Sequence, residues 1–331
     1  MKNWIARLFG SAAAARRDGA AVPAPGVPGA AAPSHPAISD PGAPVSLDAA
    51  YWRWLTEPIA GESPDAAHGR MLDELVRLGE HPGDAAELVP RMPEVIPRLL
   101  RSLRDDAVSG AELARQVGRD PVMVAETIRE ANSSYYRPAK PVRTVDAAVM
   151  VLGQNGLRML LARVAFRPVI GLAAGSCARQ AAPRLWRHAE HSARAGAQLA
   201  PGLGADPFEA YLAGLMHDMG LVVAFRLADR ILEGPFLPQD EAFATAVLDG
   251  ARELSARIAL HWELPPTIAA AIVRAGRPAT QPLAAALGEA DRVARLRLLL
   301  DAGLLAPGDP LLAGLGAAST RVLERLGADE S

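Results

Sequence analysis

One cysteine, Cys177, stands in the 331 residues. That excludes an intramolecular disulfide and any zinc site built on several thiolates, and it fits a reducing, cytoplasmic setting. Lysine is almost missing: of 35 basic residues only Lys2 and Lys140 are lysines, a skew that accompanies abundant alanine and proline and reflects base composition. No function is read from it. Net charge is only −2, so nothing pulls the whole chain toward nucleic acid or an anionic membrane. Long apolar runs are lacking too. The opening "MKNWIARLFG" falls short of the 7 to 15 residue apolar segment of a signal peptide, and no later run resembles a span of ~20 apolar residues. Alternating, strand-like stretches are scarce throughout.

What is present is helical periodicity behind a tail. From Pro23 to Pro44, "PAPGVPGAAAPSHPAISDPGAP" interrupts every period with seven prolines and three glycines. Such a composition buries too little apolar surface to offset chain entropy, so residues 1–46 are expected to be a disordered tail. At its tip, Trp4, Ile5, Leu8 and Phe9 recur at helical spacing beside Lys2 and Arg7. Residues 1–10 read either as a frayed end or as a small amphipathic helix making weak contact with a membrane surface or a partner. Beyond the tail, Met71, Leu72, Leu75 and Leu78 form an apolar stripe that stops at Gly79 and Pro82. Helices are predicted over 145–152, 156–170, 183–200, 207–226, 240–262, 265–275, 281–301 and 310–326, an all-α architecture. "YWRWL" at 51–55 reads as a helix packing an extension onto the core or as a docking patch.

The segment Ser109–Asn132 has helix–turn–helix proportions, with Ser109 and Asp120–Pro121 at the cap positions. A recognition helix must present cations to phosphate, whereas its second helix offers Glu126, Arg129 and Glu130. A DNA-binding role is therefore the weakest of the readings, and nucleic acid is not an expected partner.

In "YLAGLMHDMG", Leu212, Leu215, Met216 and Met219 make one stripe, while Ala213, Gly214, His217 and Gly220 make a flank of small residues that lets another helix come close. Adjacent residues on a helix diverge by about 100°, so His217 and Asp218 share an ion only if it sits between them. Further ligands would come from His188 or His191 in "LWRHAEHSARA" and from Asp291 in "GEADRVARL". A His, His–Asp and Asp set from three helices suits one divalent Mn, Fe, Zn or Mg ion, which could activate water for phosphoester hydrolysis. The same residues also read as a hydrogen-bonded core feature. The arginines at 226, 230, 292, 295 and 297 read as a solvated face.

Five segments, in order, resemble the HDOD domain, a relative of the HD-domain metal-dependent phosphohydrolases of bacterial signalling. They are "DPVMVAETIREANSSYY" (Asp120, Pro121, Ala131, Asn132, Ser133, Tyr135), "VDAAVMVLG" (Val145, Ala148, Leu152, Gly153), "LWRHAEH" (Trp186, His188), "YLAGLMHDMG" and "HWELPPTI" (Trp262, Leu264, Pro265). The resemblance runs from about residue 92 to 295. It implies an HD-like multi-helix bundle preceded by a helical module. The chain then divides into a tail at 1–46, an extension at 47–88, the HDOD domain at 89–305 and a C-terminal helix at 306–331. It also implies that His188, His217, Asp218 and Asp291 match the metal-binding quartet of the related hydrolases, with His191 a neighbour.

The departures from the family pattern matter as much. Arg252, Arg274 and Ala275 stand where relatives that hold two metals carry histidines, Leu221 follows "HDMG" where catalytic relatives place a polar residue, and no "G-Y-P" motif is present. A second cation beside an arginine is disfavoured. The expected function is accordingly a non-catalytic signalling or regulatory protein acting through contacts with unidentified signalling proteins. A metal-dependent phosphohydrolase of nucleotides or cyclic nucleotides is the alternative.

Overall fold

The computed structural model describes residues 46–61, 65–80, 88–92, 117–118, 121–133, 136, 138–171, 175–232, 234, 236–278 and 280–328. The tail with its tip, and the Ser109 helix of the helix–turn–helix segment, lie outside them. Among the described residues there is no strand, only one isolated bridge between Ala60 and Leu237.

The helices begin and end where side-chain chemistry directs. Ser46 opens α1 (Leu47–Thr56) by accepting the Ala49 N–H at 3.2 Å. Then come α2 (Asp65–Glu80), α3 (Pro121–Ala131), α4 (Val145–Gly171) and α5 (Ser176–Leu203). Gly153, at φ +63°, bends α4 where the sequence predicts a break between two helices. Gly204, also left-handed at φ +75°, ends α5. Asp206 caps α6 (Pro207–Met216), and α7 follows over Met219–Ile231. Asp240 caps α8 (Glu241–His261), before α9 (Pro266–Arg274), α10 (Pro282–Asp301) and α11 (Ala317–Ala328).

Besides α5, which is longer than the 183–200 expected, two elements differ from expectation. The single helix expected over 207–226 is two helices, broken at His217 and Asp218. The one expected over 310–326 is a short 3₁₀ turn at Pro310–Leu312 and then α11. In the first case the apolar periodicity runs straight through the break, so local sequence carries no sign of it. Together α6 and α7 span Pro207–Ile231, long and apolar enough to cross a membrane by composition, a match the sequence reading did not anticipate. Of its most apolar window, 94% is buried inside the protein.

α5 is the central element, packed against α6 and α10, while α8 packs against α7, α2 and α9. The stripe of α2 faces inward as expected, with Met71, Leu75 and Leu78 buried and Leu72 half-buried. Small residues set the closest approaches. A Cβ on Gly214 would stand 2.5 Å from Ala193 Cα of α5, and one on Gly220 would stand 1.9 Å from Ala251 O of α8. The small flank thus admits two helices, one on each side of the break. α1 belongs to the same packing: Tyr51 and Trp52 are fully buried, and the Trp52 indole donates to Pro238 O at 2.8 Å. "YWRWL" is a core-forming helix. Trp262 is buried against Phe166, whereas Trp186 is only half-buried.

The two glutamates of α3 turn toward the protein, while Arg129 is exposed and pairs with Glu126. Arg163 of α4 reaches Glu130 at 2.7 Å, Glu190 of α5 at 3.1 Å and Glu126 at 3.4 Å, and Arg194 reaches Glu190 at 3.4 Å. Asn132, from the "ANS" motif, clamps the following segment by donating to Val142 O and accepting from Val142 N, both at 2.8 Å.

Candidate metal and charge site

Four helices bring the quartet together. His188 comes from α5, His217 closes α6, Asp218 opens α7 and Asp291 lies on α10. The break at 217–218 lets neighbouring residues converge. Asp218 sits at φ −99°, ψ 7°, outside helical geometry, and with the turn its carboxylate faces His217 Nε2 at 3.4 Å. The divergence expected of adjacent residues on one continuous helix therefore does not apply.

All four are buried: His188 is fully enclosed, and Asp218, Asp291 and His217 are 3%, 6% and 8% exposed. His188 Nδ1 lies 2.5 Å from Asp218 Oδ2, and its Nε2 lies 3.0 Å from Asp291 Oδ1. Burial alone would raise both carboxyls. The nearby His217 and His188 outweigh it at Asp218, and Arg295 and His188 outweigh it at Asp291, so both are held below the usual carboxylate range. Burial would lower His188, but the two aspartates raise it. An ionised carboxylate accepts and cannot donate, so both imidazole nitrogens donate and His188 is an imidazolium between two anions.

Three further residues complete the cluster, all missed from sequence. Arg295, one turn beyond Asp291, donates from Nε to Asp291 Oδ1 at 2.8 Å and pairs with Asp48 of α1. It is 5% exposed, so the expectation that it belongs to a solvated face is wrong. The same holds in part for its companions: Arg226 donates to Leu88 O, Arg292 to Ala313 O and Arg297 to Asp301, and all three are half-buried. Tyr51 places its hydroxyl 2.9 Å from His188 Nδ1 and its ring 4.5 Å from the imidazole, with the Arg295 guanidinium carbon 4.5 Å from the same ring. One signal in the sequence pointed this way, since Asp291 and Arg295 stand at i, i+4 on a helix. Tyr51→Phe is expected to cost about 1 kcal/mol in urea unfolding, the loss of one buried hydrogen bond.

By spacing, the cluster could receive an ion: donor atoms of His188, His217 and Asp218 all lie within 4.8 Å of one another. By hydrogen bonding, the full quartet does not fit one. His188 has no lone pair left while it donates to both aspartates, and Asp291 already carries the Arg295 guanidinium. Only His217 keeps a nitrogen open. Its Nδ1 donates to Gly214 O at 2.7 Å, and its Nε2 is buried without a hydrogen-bond partner, 3.5 Å from Asp291 Oδ1. Arg252 pairs with Asp249 of its own helix at 2.8 Å, and Arg274 is exposed at the end of α9. The cations that matter at this site are internal to it.

A helical bundle with a buried His, His–Asp, Asp cluster defines the HD-related class of proteins. The HDOD domain model matches residues 89–278, more than half of the chain, and the chain belongs to the HDOD family. A solved HDOD domain protein of unknown function from Geobacter sulfurreducens is 22% identical, with a TM-score of 0.55, over 77% of this chain and 94% of that one. A candidate metal-dependent phosphohydrolase from Shewanella amazonensis is 19% identical, with a TM-score of 0.57, over 80% and 100%. These likenesses concern the fold. Among curated proteins none matches the chain. Tyr51 and Asp48 precede the matched span, and Asp291 and Arg295 follow it.

Proposed function

We propose that this HDOD protein is a non-catalytic signalling or regulatory protein that acts through contacts with other proteins, and that its His–Asp cluster is a structural charge network. The observation that carries the reading is the closure of the cluster. Hydrolysis of a phosphoester needs an open place for substrate and water beside the reacting groups. Here Tyr51 and Ser192 flank His188, Arg295 holds Asp291, and each of the four quartet residues is less than 9% exposed. The carboxylates are also already paired: Asp218 faces the His188 imidazolium, and Asp291 faces both it and the Arg295 guanidinium, so neither is left for an ion to neutralise.

Glu126 and Glu130 are committed to Arg163, and the exposed Arg129 pairs with Glu126, which supports the same reading against a DNA-binding one. The hydrolase reading keeps one observation in its favour, the open Nε2 of His217. The two are separated by incubating the purified full chain with Mn²⁺ or Mg²⁺ and a panel of nucleotides and cyclic dinucleotides. No turnover above that of His217→Ala is expected. Turnover that His217→Ala abolishes would overturn the non-catalytic reading.

A further inference from the structure

We infer that Arg295 is the resident cation of the His–Asp cluster, holding the place a divalent ion would otherwise take, and that α1 fixes it there. The inference rests on the reading of the cluster as a structural charge network. It adds the residue that keeps a metal out.

Three observations carry it. First, the Arg295 side chain enters the cluster from its own helix: Nε meets Asp291 Oδ1 at 2.8 Å, the oxygen that also lies 3.0 Å from His188 Nε2 and 3.5 Å from His217 Nε2. That oxygen, the one that faces both histidines, is thus already taken by a cation. Second, the guanidinium is deeply buried and does not lose its charge, so it repels a second cation at short range with little screening. Third, α1 clamps it on two sides: the Asp48 carboxylate takes Nη1, and the Tyr51 ring lies under Cζ at 4.5 Å. A guanidinium so held cannot swing aside without breaking an ion pair, a ring contact and the bond to Asp291 together. The side chain that pairs with Asp291 is therefore built into the packing of α1 on α10. His217 Nε2 and the aspartates remain a latent ligand set, lacking only the removal of one positive charge.

The test is metal affinity, measured by calorimetry with Mn²⁺ and with Co²⁺ on metal-free full chain. Arg295→Met and Arg295→Gln are each expected to bind one ion per chain at least tenfold more tightly than the wild type. Adding His217→Ala to either should abolish the gain. Arg295→Lys, which keeps the charge, should show no gain. The glutamine variant keeps an N–H for Asp291, and it decides the matter where the methionine variant fails to fold. Folded neutral variants that bind no more tightly than the wild type overturn the inference. So does wild-type chain that purifies with one transition metal per molecule, a result available whether or not any variant folds. Neither result depends on turnover, so failure here is distinct from failure of the non-catalytic reading.

Discussion

His188→Ala is expected to lower the stability of the protein by about 3–5 kcal/mol, read from urea or guanidinium unfolding of the full chain. The imidazolium is the donor shared by Asp218 and Asp291, and it is wholly enclosed. Without it two buried carboxylates are left close together. Asp291 keeps Arg295, but Asp218 keeps only the His217 ring, whose nearer nitrogen is 3.4 Å away and donates nothing to it. Breaking a buried pair by removing one partner is costly because the survivor stays desolvated and charged, or must take up a proton to stay buried. Asp218→Asn removes the other side of the same contact. In a double-mutant cycle with His188→Ala the two losses should fall well short of adding, since each destroys one shared interaction. A loss under about 1 kcal/mol for His188→Ala, in protein free of metal, would mean that the residue is held in readiness as a ligand and that the network does not support the fold.

Much of this was legible in the sequence, and the parts that were not share a cause. The helices α8 and α10 emerge close to expectation, at Glu241–His261 and Pro282–Asp301 against 240–262 and 281–301, whereas α5, expected over 183–200, runs over Ser176–Leu203. The quartet was readable because a histidine beside an aspartate in an apolar run is unusual and its motifs come in a fixed order. The break between α6 and α7 was not readable. No glycine or proline occupies 217 or 218, and the apolar stripe passes through both. The turn is set by what surrounds it, with Gly214 pressed on α5 and Gly220 on α8. Arg295 was misread for a related reason. Several arginines on one helix suggest a wet face by composition, but which of them turns inward depends on where α1 docks. Tyr51 sits among apolar residues in "YWRWL", and only the folded chain brings its hydroxyl to His188, 137 positions away.

The glycine of "HDMG" supplies the second large effect. Gly220→Ala is expected to destabilise the protein by about 3 kcal/mol, at the upper end of what overpacking a core costs. The new Cβ would meet Ala251 O at 1.9 Å, its carbonyl carbon at 2.7 Å and its Cα at 2.9 Å. All three are backbone atoms of α8, so no side chain can rotate away and the two helices must part. Parting them also stretches the bond by which Gly220 N–H donates to Ser255 Oγ at 2.7 Å, itself anchored by donation to Ala251 O. Since Gly220 is the second residue after Asp218, the shift passes directly to the carboxylate that faces His188. Gly69→Ala is the matched control. It lies exposed within α2 with nothing near its would-be Cβ, and there alanine should stabilise by about 0.5–1 kcal/mol through helix propensity alone. Opposite signs for the two substitutions would show that close approach of α8, and not a general need for glycine in helices, fixes the glycine two residues after Asp218. Equal, small effects would mean that α7 and α8 are not packed as closely as their backbones here require.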